Sequence, residues 1–210
     1  MSRRGRDGLL FGLVAVLLGA GSGCALNSPT FDLAYTPEPG KKSPLSTLAP
    51  MSVAVQVEDQ RDVGERDRLA DKKNNLGTVT ARVFCKREPA QVLQEALARE
   101  FANNGHRVVD DTSGADAVVQ VRLKKYWSDA IIHFWDVEMI ATLNTDVSIL
   151  DRKKGSKPPT CPLNSVFRDS AQIATDDCHE KVLNGVLAES VRCFARDPAI
   201  LKALQEIQGK

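Results

Sequence analysis

The sequence lacks the short motifs by which metal-dependent, phosphate-binding and serine-nucleophile enzymes are often recognised. Its only histidines are His106, His133 and His179, which lie 27 and 46 residues apart. There is no H-E-x-x-H or C-x-x-C spacing, no G-x-S-x-G and no Gly-rich phosphate loop. The paired carboxylates Asp110-Asp111 and Asp176-Asp177 fall at element boundaries, where turns and helix caps account for them. We therefore predict a non-enzyme with no catalytic residue, no metal site and no cofactor.

The chain also lacks an excess of one charge and a long apolar run in its later part. Residues 1–23 hold three of the 28 basic and one of the 27 acidic residues, which leaves 25 basic and 26 acidic residues. This balance predicts no nucleic-acid partner. No stretch after residue 23 approaches the ~18–20 apolar residues of a transmembrane helix. The remaining 187 residues are enough for one domain with a core.

What the sequence does contain is an export signal over residues 1–23. Three arginines within residues 3–6 precede the apolar run Leu9–Leu18, and small residues fill positions 19–23. A positive start, about ten apolar residues and a small-residue exit are typical of a secretory signal peptide, too short to span a bilayer.

The end of this signal resembles a bacterial lipobox, because Cys24 directly follows the small residues. The resemblance implies that Cys24 becomes the mature N-terminus, carries the lipid and attaches the protein to the membrane. Gly21 departs from the pattern, since lipoboxes usually have a branched apolar residue there. Ala25, rather than Asp, follows the cysteine, which in such lipoproteins favours the outer membrane. The alternative is a secreted protein or an uncleaved anchor.

Residues 24–50 are predicted to be the lipidated cysteine and a Pro-rich tether. Residues 25–50 contain five of the ten prolines and would span at most ~80 Å as polyproline II. Phe31, Leu33 and Tyr35 alternate, so a short edge strand is expected to dock there.

Residues 51–210 are predicted to form a single periplasmic domain that begins with two strands. Met51–Val57 alternates apolar and small or polar residues, and Thr78–Phe84 is a second strand expected to pair with it. The charge-rich segment between them, residues 58–75, is predicted to be a solvated loop.

A long hairpin is predicted from the alternation of Ala117–Leu123 and Val137–Ile149, connected over residues 128–134. Residues 151–164 read as a Pro-containing loop, and a last strand is expected near Val166–Ile173.

Helical spacing of apolar residues predicts three helices. The first begins near Pro89 and ends at Gly105, the second begins at Asp176 or Asp177, and a short C-terminal helix begins at Asp197-Pro198. The order of elements predicts an α+β fold: an antiparallel or mixed sheet with two main helices packed on one face, plus the short C-terminal helix.

Four cysteines remain besides Cys24, which in an exported protein indicates two disulfides; free buried thiols are the alternative. Cys178 and Cys193 share one helix and lie ~22 Å apart along it, too far for a bridge. If the helix runs back beside the last strand, Cys193 returns to Cys161. This predicts the bridges Cys161–Cys193 and Cys85–Cys178. His179, next to Cys178, is expected to be a capping or surface residue.

Large apolar side chains concentrate around the hairpin connection. They either close the end of the core or form an exposed tip that contacts a partner or the membrane interface. The candidate partner-contact residues are Tyr126, Trp127, Ile131, Ile132, Phe134 and Trp135.

The chain resembles the YajG-type family of bacterial envelope lipoproteins from Val53 to Arg196. The residues that carry the resemblance are Val53–Val57 followed by Asp59-Gln60-Arg61, Gln94-Glu95-Ala96-Leu97 with Asn104-Gly105, Gly114-Ala115-Asp116, and the helix Asp177–Arg196. The resemblance implies an outer-membrane lipoprotein that faces the periplasm and has no established enzymatic activity.

Two functions are therefore expected. The first is a non-catalytic scaffold or interaction protein of the cell envelope. The alternative is a ligand-binding or transport-auxiliary lipoprotein that carries an apolar molecule between membranes. A carrier should enclose an apolar pocket of at least ~300 Å³ between sheet and helices, whereas a scaffold should have a filled core.

Overall fold

The computed structural model describes residues 27–74, 76–151 and 159–209. The predicted signal peptide and its lipidation site, Cys24, lie outside the described residues. The α+β prediction is confirmed, with a mixed sheet that is larger than the sequence indicated and with three helices in the described ranges.

The strands are β1 (Thr30–Phe31), β2 (Ser52–Asp59), β3 (Arg68–Lys73), β4 (Val79–Cys85), β5 (Arg107–Val108), β6 (Ala117–Ile132), β7 (Val137–Asp151) and β8 (Thr160–Ala171). The helices are α1 (Pro89–Asn103), α2 (Asp176–Arg196) and α3 (Pro198–Gln208).

The 16-residue strand β6 is the centre of the sheet. On one side it pairs antiparallel with β7, which pairs in turn with β8. On the other side its first half pairs parallel with β2, from Val53↔Ala117 to Asp59↔Leu123, and its second half meets β3 at Ala70↔Ser128. Strand β5 lies outside β2, while β4 and then β1 lie outside β3. The expected pairing of the first two long strands is therefore wrong, because β4 pairs with β3 and β1.

Strand β3 lies within the segment that the sequence predicted to be a solvated loop. Leu69 and Ala70 are fully buried, and Lys72 is largely buried. The prediction is wrong here because only two of the six residues of Arg68–Lys73 are apolar, too few for a visible alternation.

A β-bulge at Lys124 reverses the alternation of β6. Leu123 pairs with Thr145 and Lys125 with Asn144, which leaves Lys124 as an extra residue. Odd-numbered residues are buried before the bulge, but the buried residues after it are Tyr126 and Ser128. A bulge has this effect because one inserted residue moves all later side chains to the opposite face.

Residues 27–50 are packed against the domain, so this part of the predicted Pro-rich tether contributes to the core; we call the segment the N-terminal strap. Leu33, Leu45 and Leu48 belong to the main hydrophobic core. The expected edge strand is present as β1, which pairs parallel with β4. The many prolines of this segment led to the prediction of a linker, although its leucines are buried in the core.

Polar contacts fix the strap along α1 and the turn after it. The Tyr35 hydroxyl donates to Glu100 Oε2 at 2.7 Å, and the Ser43 N–H donates to Asn104 Oδ1 at 2.8 Å. The Leu45 carbonyl lies 3.0 Å from His106 Nε2, and both residues are buried. The last two bonds satisfy backbone groups that a buried, irregular segment would otherwise leave unpaired.

The helices cover the sheet through apolar contacts. Helix α1 packs against β2, and α2 packs against β7 and β8. The rings of Phe101 on α1 and Phe194 on α2 meet edge to face, with centroids 5.7 Å apart. Gly185 lets α2 approach β8, since a Cβ there would lie 2.6 Å from the Phe167 ring.

Candidate functional site

The hairpin of β6 and β7 extends further than predicted and ends in a tight loop. Its ladder runs to the pair Ile132↔Val137, and the His133 N–H donates to the Asp136 carbonyl at 2.8 Å. The connection is therefore residues 133–136 rather than 128–134. The exposed apolar residues here, which we call the hairpin tip, are Ile131 (43%), Ile132 (58%), Phe134 (87%) and Trp135 (85%).

The predicted contact residues divide into three environments. The four residues of the hairpin tip are brought together, and the rings of Phe134 and Trp135 meet at 4.6 Å. Tyr126, in contrast, is buried and donates its hydroxyl to the Leu183 carbonyl at 3.0 Å, so its inclusion as a contact residue is wrong. The bulge at Lys124 is the physical reason, because it turns Tyr126 toward α2. Burial also raises the pKa of Tyr126 well above its usual value.

Trp127 lines an open cleft of about 560 Å³ away from the tip. The guanidinium of Arg68 lies 5.2 Å from the Trp127 ring centroid, and the indole N–H donates to Asp129 Oδ1 at 3.1 Å. At the floor of the cleft, Arg61 binds Asp59 through Nε and a terminal nitrogen at 3.0 and 2.7 Å. These cationic and anionic groups neutralise one another, so the cleft presents a self-paired polar surface.

A second open cavity of about 400 Å³ lies where α2 ends beside β8. Its lining includes Glu189, Arg192, Arg196 and Asp197. Both cavities are open and lined largely by charged side chains, whereas an apolar cargo requires an enclosed apolar pocket. Neither has the property expected of a carrier.

The four cysteines of the described residues are free, so the predicted bridges Cys161–Cys193 and Cys85–Cys178 are not formed. Gly185 of α2 faces Phe167 of β8. From Gly185 the helix rises about 12 Å over the eight residues to Cys193. From Phe167 the strand spans about 20 Å over the six residues back to Cys161. Cys193 therefore falls short of Cys161.

The other predicted pair is separated along β4. Asp176, two residues before Cys178, binds Lys72, which lies opposite Ala81. Cys85 is four residues beyond Ala81 along β4, and the Cα atoms of these two residues are about 13 Å apart. This exceeds the ~7 Å within which the Cα atoms of bridged cysteines lie.

A buried polar group that the sequence analysis missed connects β6, β3 and α2. His179 is buried, and its Nδ1 lies 2.9 Å from Ser128 Oγ. Lys72 and Asp176 form an ion pair beside it. The expectation of a surface or capping histidine is wrong, since His179 lies on the inner face of α2. Only its helical spacing to Leu183 and Val186 could have indicated this.

The environment of His179 predicts acid sensitivity of the fold. Burial, and secondarily the charge of Lys72, lowers its pKa from 6.5 to about 4, although Asp176 and Asp129 act in the opposite direction. The unfolded chain therefore binds a proton that the folded chain excludes, so stability falls as pH falls below about 6.5. We expect a loss of about 2 kcal/mol between pH 7 and 5.

Urea unfolding at pH 7 and 5 measures this dependence. His179→Asn, which keeps a group able to bond Ser128 but does not titrate, should reduce the difference between the two pH values. An unchanged difference in this variant would assign the acid sensitivity to other groups.

Among the residues described here, no group of three or more His, Cys, Asp or Glu side chains could hold a metal ion. Within the same ranges, no helix combines the length and apolar character needed to cross a bilayer. The arrangement of the described polar groups thus consists of buried structural pairs and open charged clefts, beside an exposed apolar tip.

A family model described as "Uncharacterized lipoprotein" (Lipoprotein_16) matches residues 41–205. The chain belongs to this lipoprotein family. The matched region extends from the strap into α3, so the strap after residue 40 is part of the family's domain. No curated protein matches the chain.

Several solved structures are similar to this lipoprotein at low sequence identity. Protein XCC0632 from Xanthomonas campestris, of the family DUF330, has a TM-score of 0.62 at 10% identity, covering 88% of this chain and all of that one. A homolog of neuraminyllactose-binding hemagglutinin from Helicobacter pylori has a TM-score of 0.48 at 9% identity, covering 85% and 99%. A minor lipoprotein from Acinetobacter baumannii has a TM-score of 0.40 at 12% identity, covering 72% and 94%. The first of these supports the fold and does not assign an activity.

Proposed function

We propose that this lipoprotein is a YajG-type protein, anchored in the outer membrane through a lipid on Cys24 and facing the periplasm. There it acts as a non-catalytic scaffold that holds another envelope protein. The export signal that ends at Cys24 and the lipoprotein family match support the anchor. The residue Ala25 after the cysteine favours the outer membrane.

The observation that carries the scaffold role is the free edge of β8. This strand has 12 residues and pairs with β7 from Val137↔Ala171 to Ser148↔Thr160. In the described part of the chain, no strand pairs with its other side. A long edge with unpaired N–H and C=O groups is a template to which an extended segment of another protein can add as a strand.

The side chains of the β8 edge define the kind of partner. Asn164, Val166 and Arg168 alternate on the exposed face, and Val166 is 47% exposed. A matching segment would be extended and would carry an apolar residue opposite Val166, while Arg168 already donates to Glu138 Oε1 at 2.7 Å. The partner we propose is an envelope protein with such a segment. An apolar cargo is a poorer match, since the cleft and the cavity described above are polar and open.

In-cell photo-cross-linking tests the proposal. A photoreactive residue at Val166 should capture one envelope protein through a single extended segment, and Asn164 and Arg168 should give adducts displaced along the same segment. The control is Val63, equally apolar and 78% exposed but located in the loop between β2 and β3. Capture at Val166 no greater than at Val63, or capture of this chain's own β8, would contradict a scaffold for another protein.

A further inference from the structure

The register of the sheet places the start of the strap at the same end as the hairpin tip. Strand β1 runs parallel to β4, with Thr30 opposite Phe84, and the Arg82 N–H donates to Ser28 Oγ at 3.2 Å. Continuing this register places Asn27 beside Ala81. Asn27 therefore lies at the end of the sheet at which β4 begins.

Strand β3 relates this position to the hairpin. Lys72 lies opposite Ala81 in β4 and donates from Nζ to the Asn27 carbonyl at 2.8 Å. Because β3 runs parallel to β6 with Ala70 opposite Ser128, Lys72 lies at the level of Ala130, two residues before Ile132. Asn27 thus lies at the end of the sheet that carries the hairpin tip.

Exposed apolar side chains concentrate at this same end. Of the nine large apolar residues that are exposed in the described ranges, seven lie here, and Val63 and Val166 lie elsewhere. We call the seven the apolar end: Leu76, Val79, Ile131, Ile132, Phe134, Trp135 and Ile173. They come from the β3–β4 turn and the first residue of β4, the hairpin tip, and the β8–α2 connection, which are separate in sequence. Such a concentration marks an interaction surface, because scattered exposed residues would show no preference for one end.

The distance to the anchor identifies what this surface meets. Asn27 is the third residue after Cys24, so the three Cα–Cα steps between them span at most about 10 Å. Given the lipid anchor at Cys24, on which this inference rests, the end of the domain that carries Asn27 is held at the membrane surface. The apolar end is then the part of the domain that faces the lipid.

We propose that the apolar end inserts into the lipid surface that holds the anchor, with Trp135 and Phe134 at the interface. Tryptophan is favoured there because its ring is apolar and its N–H remains hydrated. The exposed charged residues nearby have both signs: Lys73 is positive, and Asp129 and Asp136 are negative. Insertion therefore depends on apolar contact and requires no anionic lipid.

The two tryptophans allow a direct test on the full chain, purified from membranes and placed in phosphatidylcholine vesicles that contain brominated phosphatidylcholine. Trp127→Phe leaves Trp135 as the only tryptophan, and Trp135→Phe leaves Trp127 in the cleft as the matched control. We expect several-fold stronger fluorescence quenching of Trp135 than of Trp127. Equal, weak quenching of both would overturn the inference.

Mass spectrometry of the mature N-terminus in the same preparation separates this inference from the proposed anchor. Quenching of Trp135 in a chain without lipid on Cys24 supports insertion and overturns the anchor, whereas an unquenched Trp135 in a lipidated chain overturns insertion alone. In cells, a photoreactive residue at position 135 should label lipid. A protein adduct there would assign the apolar end to a protein partner instead and overturn the inference.

Discussion

Replacing Tyr126 with alanine is expected to lower the free energy of unfolding by about 3–5 kcal/mol, the range for removing a large buried ring. The ring is 1% exposed, and its hydroxyl bonds the Leu183 carbonyl in α2. The substitution therefore leaves a cavity and also removes the additional hydrogen bond to this carbonyl. Chemical denaturation followed by far-UV circular dichroism measures the loss.

Trp135→Ala is the matched control, since it removes an even larger ring from the same hairpin. Trp135 is 85% exposed, so its loss should change stability by less than about 0.5 kcal/mol. A small loss from Tyr126→Ala would mean that the alternation of β6 is not reversed at Lys124, and a large loss from Trp135→Ala would mean that the tip packs into the core.

Gly185→Leu is expected to destabilise the fold by about 3 kcal/mol or more, although leucine is among the best helix formers. In an exposed helix this substitution would stabilise by up to about 1 kcal/mol. Here the first carbon added would lie 2.6–2.7 Å from three ring atoms of Phe167. The helix or the ring must move, which disturbs the contact between α2 and β8. Thermal unfolding or urea titration gives the size of the effect.

Two variants isolate the cause of this loss. Gly64→Leu places the same side chain where nothing lies within 4 Å, and it should change stability by about 0.5 kcal/mol or less. Adding Phe167→Ala to Gly185→Leu should recover part of the stability, because it frees the space that the leucine needs. If the double variant is as unstable as the sum of the two single ones, the contact does not explain the effect.

Local signals in the sequence were sufficient for the helices and most strands. Gly105 ends α1 with φ of 93°, the left-handed conformation expected of a residue after a helix. Asp197 caps α3 by accepting the N–H groups of Ala199 and Ile200, as predicted. Strand β2 and the two arms of the long hairpin follow their alternating residues. The predicted cap of α2 is displaced, since Thr175 occupies that position and Asp176 lies in the first turn.

The parts that the sequence did not predict depend on long-range contacts. Strand β3 is specified by its neighbours β4 and β6 rather than by its own charged residues. The sequence of the strap is typical of a Pro-rich linker because its anchors, such as Leu33 and Leu45, are far apart and join residues of α1 and the sheet only in the folded core. The bulge at Lys124 depends on the register with β7, which no single strand encodes.

In the candidate site too, features with a local sequence signal were predicted and features that depend on long-range contacts were not. The exposed tip residues were found by composition, because aromatic and branched residues next to a turn are visible in the sequence. The apolar end could not be found in this way, because only the pairing of the strands in the sheet places Leu76 and Ile173 at the same end as the tip. Likewise, the group of Ser128, His179 and Lys72 comes from three separate elements and has no local pattern.

The strap also determines how the protein would respond to mechanical load. Any pull transmitted along the N-terminal chain enters the fold at Asn27, where Lys72 holds the backbone. Residues 27–50 could release about 80 Å of extended chain, but release would expose Leu33, Leu45 and Leu48, each of which contributes about 1.5–3 kcal/mol by its burial. The strap thus contains chain that could extend but is held by the core. We expect the domain to keep its length under small forces, and larger forces must disrupt the hydrophobic core to extend it.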